Sequence, residues 1–277
     1  MLYQPRLVTL DYVRLHRKLG AGEVADDTLL EIFIEEASAV FQSECQRTFM
    51  PYVATKRFSH LNQWTSYELH LRDDLLEVTT LTDSAGSAIA SGYTLLPDND
   101  YPKSRISLDS ASGRSWWFPY RESRVEVAGI WGCVPHYGRC WRDSGVNVPG
   151  AGLTDSATSI VLGTGEGARF QEGQYIKASD EVLLVTAIAT NTLTVRRGEL
   201  GTTPAAHTSA EDLLTFDPLP DVAKAVREIA VYAYLHKDQI GGRVQVFDGG
   251  MVTVEDLDPQ VAKTIARYRF KHMPRGV

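Results

Sequence analysis

Three side chains of metal-binding type lie close together in this sequence: Cys133, His136 and Cys140. Thiolates and imidazoles are zinc ligands, and a structural zinc site takes four of them in a tetrahedron. Here there are three, at a spacing that is not that of a zinc finger, and the only other cysteine, Cys45, falls in a predicted helix. The sequence therefore predicts free, partly buried thiols, with no metal, no disulfide and no cofactor. Gly163-Thr-Gly-Glu-Gly167 has the glycine density of a phosphate-cradling loop. It lacks the Lys-Ser/Thr of a P-loop and the spacing of a dinucleotide fingerprint, and it reads as a hairpin turn. Asp98, Asn99 and Asp100 carry oxygens but not the calcium-loop pattern, and they read as a surface turn. Trp116-Trp117-Phe118 could stack on a sugar, or form a strand-end aromatic cluster in a core or interface. Seven scattered histidines and no Gly-x-Ser-x-Gly leave no catalytic triad to assemble. A pair of carboxylates for glycoside hydrolysis would meet only in the fold, and nothing in the sequence favours one. The expectation is a protein that is not an enzyme.

One further group of charges stands out. From Pro259 to Val277 the chain carries Lys263, Arg267, Arg269, Lys271 and Arg275 and no acid, although its net charge is −7. From Glu23 to Gln46 the bias is reversed, with seven acids and no Lys or Arg. Basic residues in the last turns of a helix suit its dipole, so part of the C-terminal bias is structural. The rest marks either a docking surface or the partner of the acidic segment, in the same or an adjacent subunit.

The elements that must position these groups follow from periodicity. Thr9 caps a short helix over Asp11 to Leu19, closed by Gly20. A longer helix runs from Asp27 to Gln46, with Thr28 and Glu31 at capping-box spacing and Leu30, Phe33, Ala37, Val40 and Phe41 on one face. Short alternating strands follow at 53–58, 67–71, 78–81, 93–96, 106–108 and 124–128, an antiparallel β unit. A Gly- and Pro-punctuated linker spans 133–152. Five further strands, at 159–162, 174–177, 182–188, 192–195 and 213–216, suit a small barrel, which leaves no exposed edge. Pro220-Asp221 opens a helix to about Gln239, stopped by Gly241-Gly242, and Asp258-Pro259 opens a last helix to about His272.

The predicted fold class is α+β: a helical body from the N- and C-terminal helices (1–52 and 218–277), an antiparallel β unit (53–132) and an inserted small β-barrel-like module (150–217). No apolar run approaches the ~18 residues of a membrane span. Net negative charge argues against avid nucleic-acid binding, and three cysteines suit a reducing cytoplasm.

With that layout, the chain resembles the head-to-tail adaptor (connector, or head-completion) proteins of tailed bacteriophages. Leu7 to Leu15 and Leu29 to Ala37 resemble the family's first two helices, and Cys45-Gln-Arg-Thr-Phe49 its exit into the β unit. Tyr93 to Asn99 and Arg105 to Leu108 match its mid-sheet pattern, Val125 to Gly132 its closing strand, and the helix after Leu219-Pro220 its third helix. The likeness covers about 7–132 and 218–272 and departs from the family at the module of 150–217. There, Leu193 to His207 resembles small β modules of phage virion proteins. The resemblance implies a virion protein of the neck, assembled in the host cytoplasm. It would form a ring, usually of twelve copies, that docks on the portal, extends the DNA channel without gripping DNA, and receives a neck or tail protein below. It also places the C-terminal end near the portal, making Lys263, Arg267, Arg269, Lys271 and Arg275 candidate docking residues. A neck stopper or tail-completion protein is the nearest alternative, and a carbohydrate-binding module a more remote one.

Overall fold

The computed structural model describes residues 5–16, 26–62, 65–116, 118–120, 123–237 and 258–270. Within them the protein is α+β, with four α-helices and two antiparallel sheets. Two compact units emerge, one of Met1–Gln46 with Cys140–Phe270, the other built on Arg47–Arg139. None of the described helices is long and apolar enough to cross a membrane.

In the first unit, α1 (Leu10–Arg14) starts where Thr9 Oγ1 accepts from Tyr12 N, as its sequence predicts, and it buries Leu10 and Val13. Helix α2 (Asp27–Cys45) buries Leu30, Phe33, Ile34, Ala37, Phe41 and Cys45, an i, i+3, i+4, i+7 stripe, and ends at Gln46 in the left-handed region (φ 54°). The capping box expected from Thr28 and Glu31 is not formed: the helix begins at Asp27, with Asp26 in the N-cap position and its side chain making no cap bond. The Asp26 carboxylate is drawn instead to α3 (Pro220–Leu235), where Tyr234 Oη donates at 2.8 Å and Lys237 pairs with it. Helix α4 (Pro259–Tyr268) starts with Asp258 accepting from Gln260 N at 2.7 Å and buries Val261 and Ile265. Phe270 N then donates to Cys45 O at 2.8 Å. The two ends of the sequence thus share one helical core. Helix α1 ends at Arg14, short of the expected Leu19, and α3 at Leu235, short of Gln239; the predicted stops at Gly20 and Gly241-Gly242 lie outside the described residues.

The second unit holds β1 (Tyr52–Phe58), β2 (Glu68–Thr82), β3 (Tyr93–Leu96), β4 (Lys103–Leu108) and β5 (Val125–Trp131), in the order β1-β5-β2-β4-β3. Its core gathers Phe58, Leu69, Leu81, Ile106, Val127 and Trp131, and the Trp131 indole donates to Ala54 O. Two strands expected at 67–71 and 78–81 are one long strand, β2. His70 faces Arg105 but Leu75 faces Lys103, so the charged run between them bulges out of the ladder without ending it.

The second sheet returns to the first unit: β6 (Trp141–Asn147), β7 (Ser159–Val161), β8 (Tyr175–Ala178), β9 (Glu181–Ala189), β10 (Thr192–Glu199) and β11 (Asp212–Phe216), ordered β6-β11-β8-β9-β10-β7. All six strands contribute to one apolar cluster, among them Val146, Ile160, Ile176, Leu183, Val195 and Leu213. A single sheet can bury one face on itself only by curling. The segment expected as linker, 133–152, therefore contains a strand, β6, which pairs with β11 from Trp141↔Phe216 to Asn147↔Asp212.

Candidate functional site

The basic C-terminal helix is held mostly by its own chain. Arg269 Nη2 meets Glu44 Oε2 at 2.6 Å, and Arg269 Nε donates to Glu44 O at 3.1 Å. Arg267 Nη1 lies 3.3 Å from Asp221 Oδ2, which also accepts from Tyr268 Oη at 2.9 Å. Lys263 is exposed, with no ion pair among the described residues. Lys271 and Arg275 lie outside those residues. Of the candidate docking set, the structure brings together Arg267 and Arg269 as braces on α3 and α2.

The three cysteines are buried, and none of them is in a disulfide. Burial pushes the Cys133 thiol up to about 12, against the opposing pull of Arg47, whose Nη1 donates to its sulfur at 3.1 Å. Burial also pushes Cys140 up to about 12. Among the described residues no three His, Cys, Asp or Glu are grouped to hold an ion. Beside Cys133, Asp74 is nearly buried, its Oδ2 3.5 Å from Arg47 Nε; burial raises its carboxyl to about 6 despite that neighbour.

The other candidates resolve into structure. Lys103 Nζ donates to Pro97 O at 2.6 Å and Asp98 O at 2.7 Å, so an ammonium occupies the inside of the Asp98–Asp100 loop. Gly163 to Gly167 is not the predicted hairpin turn, since β7 pairs with β10 while β8 pairs with β9 and β11. Its amides are used internally: Glu166 Oε2 accepts from Gly163 N at 2.7 Å, and Asn191 Oδ1 from Gly165 N at 2.9 Å. Trp116 is buried, its indole donating to Tyr67 O at 2.9 Å, and it offers no face to a sugar. Trp117 lies outside the described residues.

The most concentrated polar constellation is one that sequence reasoning missed. Glu181, at the start of β9, accepts two parallel bonds from Arg197 Nε and Nη2 on β10, at 2.7 and 2.6 Å. Its oxygens also accept from Gly198 N at 3.0 Å and Ala205 N at 2.9 Å. His207 stands between two carboxylates, Nε2 3.0 Å from Glu181 Oε2 and Nδ1 2.9 Å from Glu211 Oε2. Glu211 is in turn bonded by Thr208 N and Ser179 Oγ. Arg197 Nη1 and Nη2 reach the carbonyls of Thr154, Ala157 and Ala205. Burial opposes ionisation of Glu181, yet the bonds from Arg197, Ala205, His207 and Gly198 outweigh it and hold the carboxyl at about 2. Thr208, Ser179 and His207 likewise lower Glu211 to about 2. These bonds tie residues 198–211 across the sheet to Glu181 at the start of β9. The signal in the sequence was Arg-Arg-Gly-Glu within a strand, followed by a lone histidine.

One open cleft, about 730 Å³, lies in the first unit. Glu31, Glu35, Glu36 and Ala39 of α2 form one wall, Tyr175, Leu184 and Val185 the other, with Arg6 between.

No family model matches the chain, and no curated protein matches it. Among solved structures it is similar to a chain of "Virion of native gene transfer agent (GTA) particle", at 15% identity and a TM-score of 0.45, covering 100% of this chain and 95% of that one.

Proposed function

We propose that this chain is a structural virion protein and not an enzyme: the subunit of a head-to-tail adaptor ring. It would dock on the portal, extend the DNA channel and present the attachment surface for a neck or tail protein. What supports the reading is the order of elements among the described residues of the resembling segments, about 7–132 and 218–272. The first two helices lead into an antiparallel sheet, and the third helix returns to pack on α2, with Tyr234 on Asp26. The β module falls between them as an insertion.

Physical chemistry supports the same reading. A net charge of −7 suits a channel wall that must not hold phosphates as DNA passes. The polar cluster around Glu181 is internally satisfied, which suits a scaffold more than a reaction centre. A buried Trp116 favours a neck protein over a carbohydrate-binding module. Closed rings need two different complementary faces on each subunit.

The test is negative-stain microscopy of the purified chain, alone and with portal rings of the same particle. A ring seated coaxially on the portal is expected. Binding only to portals that already carry an adaptor would indicate the stopper or tail-completion role instead, and no association with either would overturn the neck assignment.

A further inference from the structure

The His207 side chain is 2% exposed and sets its two ring nitrogens against carboxylates from different elements. Nε2 is 3.0 Å from Glu181 Oε2 on β9, and Nδ1 is 2.9 Å from Glu211 Oε2, just before β11. A neutral imidazole has one N–H and one lone pair; only the imidazolium donates from both nitrogens. In a neutral ring, one nitrogen lone pair would point at a carboxylate oxygen with no proton between them. Neither acid supplies that proton, since both are held at about 2 and stay ionised. Charge balance gives the same answer. Glu181 and Glu211 bring two negative charges and Arg197 one positive, so a charged His207 completes a neutral set, whereas a neutral one leaves an excess charge away from water. The neighbouring charges do not alter the sum. Arg196, the next cation along β10, is committed to Glu199, Asp212 takes Asn147, and Asp155 and Asp180 on the adjoining turns are exposed.

We infer that His207 is a buried imidazolium acting as a proton-controlled catch on the connection between β10 and β11, and that loss of one ring proton releases residues 207–211. The two ends of the catch are not equivalent. Glu181 Oε2 accepts from Arg197 Nη2, Ala205 N and His207, and the Glu181 side chain is only 1% exposed. The Glu211 side chain is 25% exposed and has room to turn toward water. The proton therefore leaves from Nδ1, passing to hydroxide to form water, while the N–H on Nε2 stays with Glu181. Once Glu211 turns away, Thr208 N, Thr208 Oγ1 and Ser179 Oγ lose their acceptor. What then holds the connection is backbone: His207 with Leu153, and Ala210 and Glu211 with Val148. The sign follows from which form the fold binds. The protonated ring is the one the two carboxylates hold, so the catch is closed toward low pH and opens as pH rises. This is the reverse of the two glutamates, whose contribution is lost toward acid.

Two measurements on the full chain test it. Nuclear magnetic resonance of protein labelled with nitrogen-15 at histidine reads the ring itself, His207 being the signal that Glu211→Gln moves. Both of its nitrogens are expected to be protonated at neutral pH. Hydrogen exchange read by mass spectrometry is then followed into the alkaline range. Protection over 207–211 is expected to fall by about tenfold or more as the ring loses its proton, while β9 and β10 keep theirs. Glu211→Gln removes the switch but keeps the ring: its amide N–H can donate to a bare Nδ1, so a neutral His207 is satisfied. In that variant protection over 207–211 should no longer follow pH. Glu211→Ala is the second variant, with no acceptor left to hold, and its 207–211 segment should be open at every pH; circular dichroism checks that both fold. A ring with one bare nitrogen at neutral pH would overturn the inference. So would a ring that loses its proton without any change over 207–211, a loss of protection spread equally over β9 and β10, or a Glu211→Gln protein that keeps the parent's pH response.

Discussion

Arg197 and Glu181 face each other through two parallel hydrogen bonds of 2.7 and 2.6 Å, with side chains only 6% and 1% exposed. An ion pair so far from water is costly to break from one side, because the survivor keeps its charge and loses its partner. Arg197→Met is therefore expected to lower stability by about 3–5 kcal/mol. Glu181→Gln should be nearly as damaging, since Gly198 N and Ala205 N lose a charged acceptor as well. Urea unfolding of the purified variants measures this, and a loss below about 1 kcal/mol would show that the pair is solvated.

The same cluster sets an acid limit. Glu181 and Glu211 sit at about 2 in the fold, against an ordinary value of 4.5. A depressed carboxyl contributes stability that is present above 4.5 and disappears as pH falls through the folded value. The melting temperature is expected to fall steeply between about pH 4.5 and 2, and the fall should be shallower in a Glu181→Gln, Glu211→Gln double variant measured by calorimetry.

Asp74 works in the opposite direction. Burial lifts it to about 6 from 3.8, so the folded state holds its proton more tightly than the unfolded chain does. Its contribution is complete below 3.8 and is lost as pH rises through 6, an effect of up to about 3 kcal/mol. Asp74→Asn should flatten stability between pH 4 and 7. An unchanged slope in denaturation midpoint against pH would show that Asp74 ionises as it does in water.

For α4, apolar burial and surface charge make separable contributions. Ile265 is 2% exposed, and Ile265→Ala is expected to cost about 2–5 kcal/mol. The Arg269 side chain is 53% exposed, and Arg269→Ala should cost under about 1 kcal/mol although its bond to Glu44 is short. Thermal melts of the two variants distinguish them, and equal losses would mean that the braces, not the stripe, hold the helix.

These features were legible to different degrees. The α2 stripe and the Thr9 and Asp258 caps are local, and spacing and residue type located them. β3 was read at its exact bounds, because Tyr93 to Leu96 lies between two turn clusters. β6 was not read, because an edge strand has one neighbour and can be polar: of Trp141 to Asn147 only Val146 is buried, and Gly145 takes φ 66°. β2 was split in two because Arg72, Asp73 and Asp74 look like a turn. In the fold Arg72 is exposed, Asp73 takes Lys56 and Asp74 faces Arg47, all within the bulge. Of the cluster, His207 and Glu211 lie four residues apart, but their meeting with Glu181 and Arg197 was not read, since it depends on how β9 and β10 pair.

The pairing of Trp141 with Phe216 has a consequence for how such a chain could have been put together. Partners on adjacent strands lie about 5 Å apart, so the intervening sheet starts and finishes at almost the same point. Material joined through such a narrow neck can be bridged, in backbone terms, by a tight reverse turn. The natural cut points are then Trp141 and Phe216, not the glycines near residue 150. A chain shortened there would need only a dipeptide to close the gap, although Thr9 would lose its bond to Gln171 and Arg6 its place against Gly173.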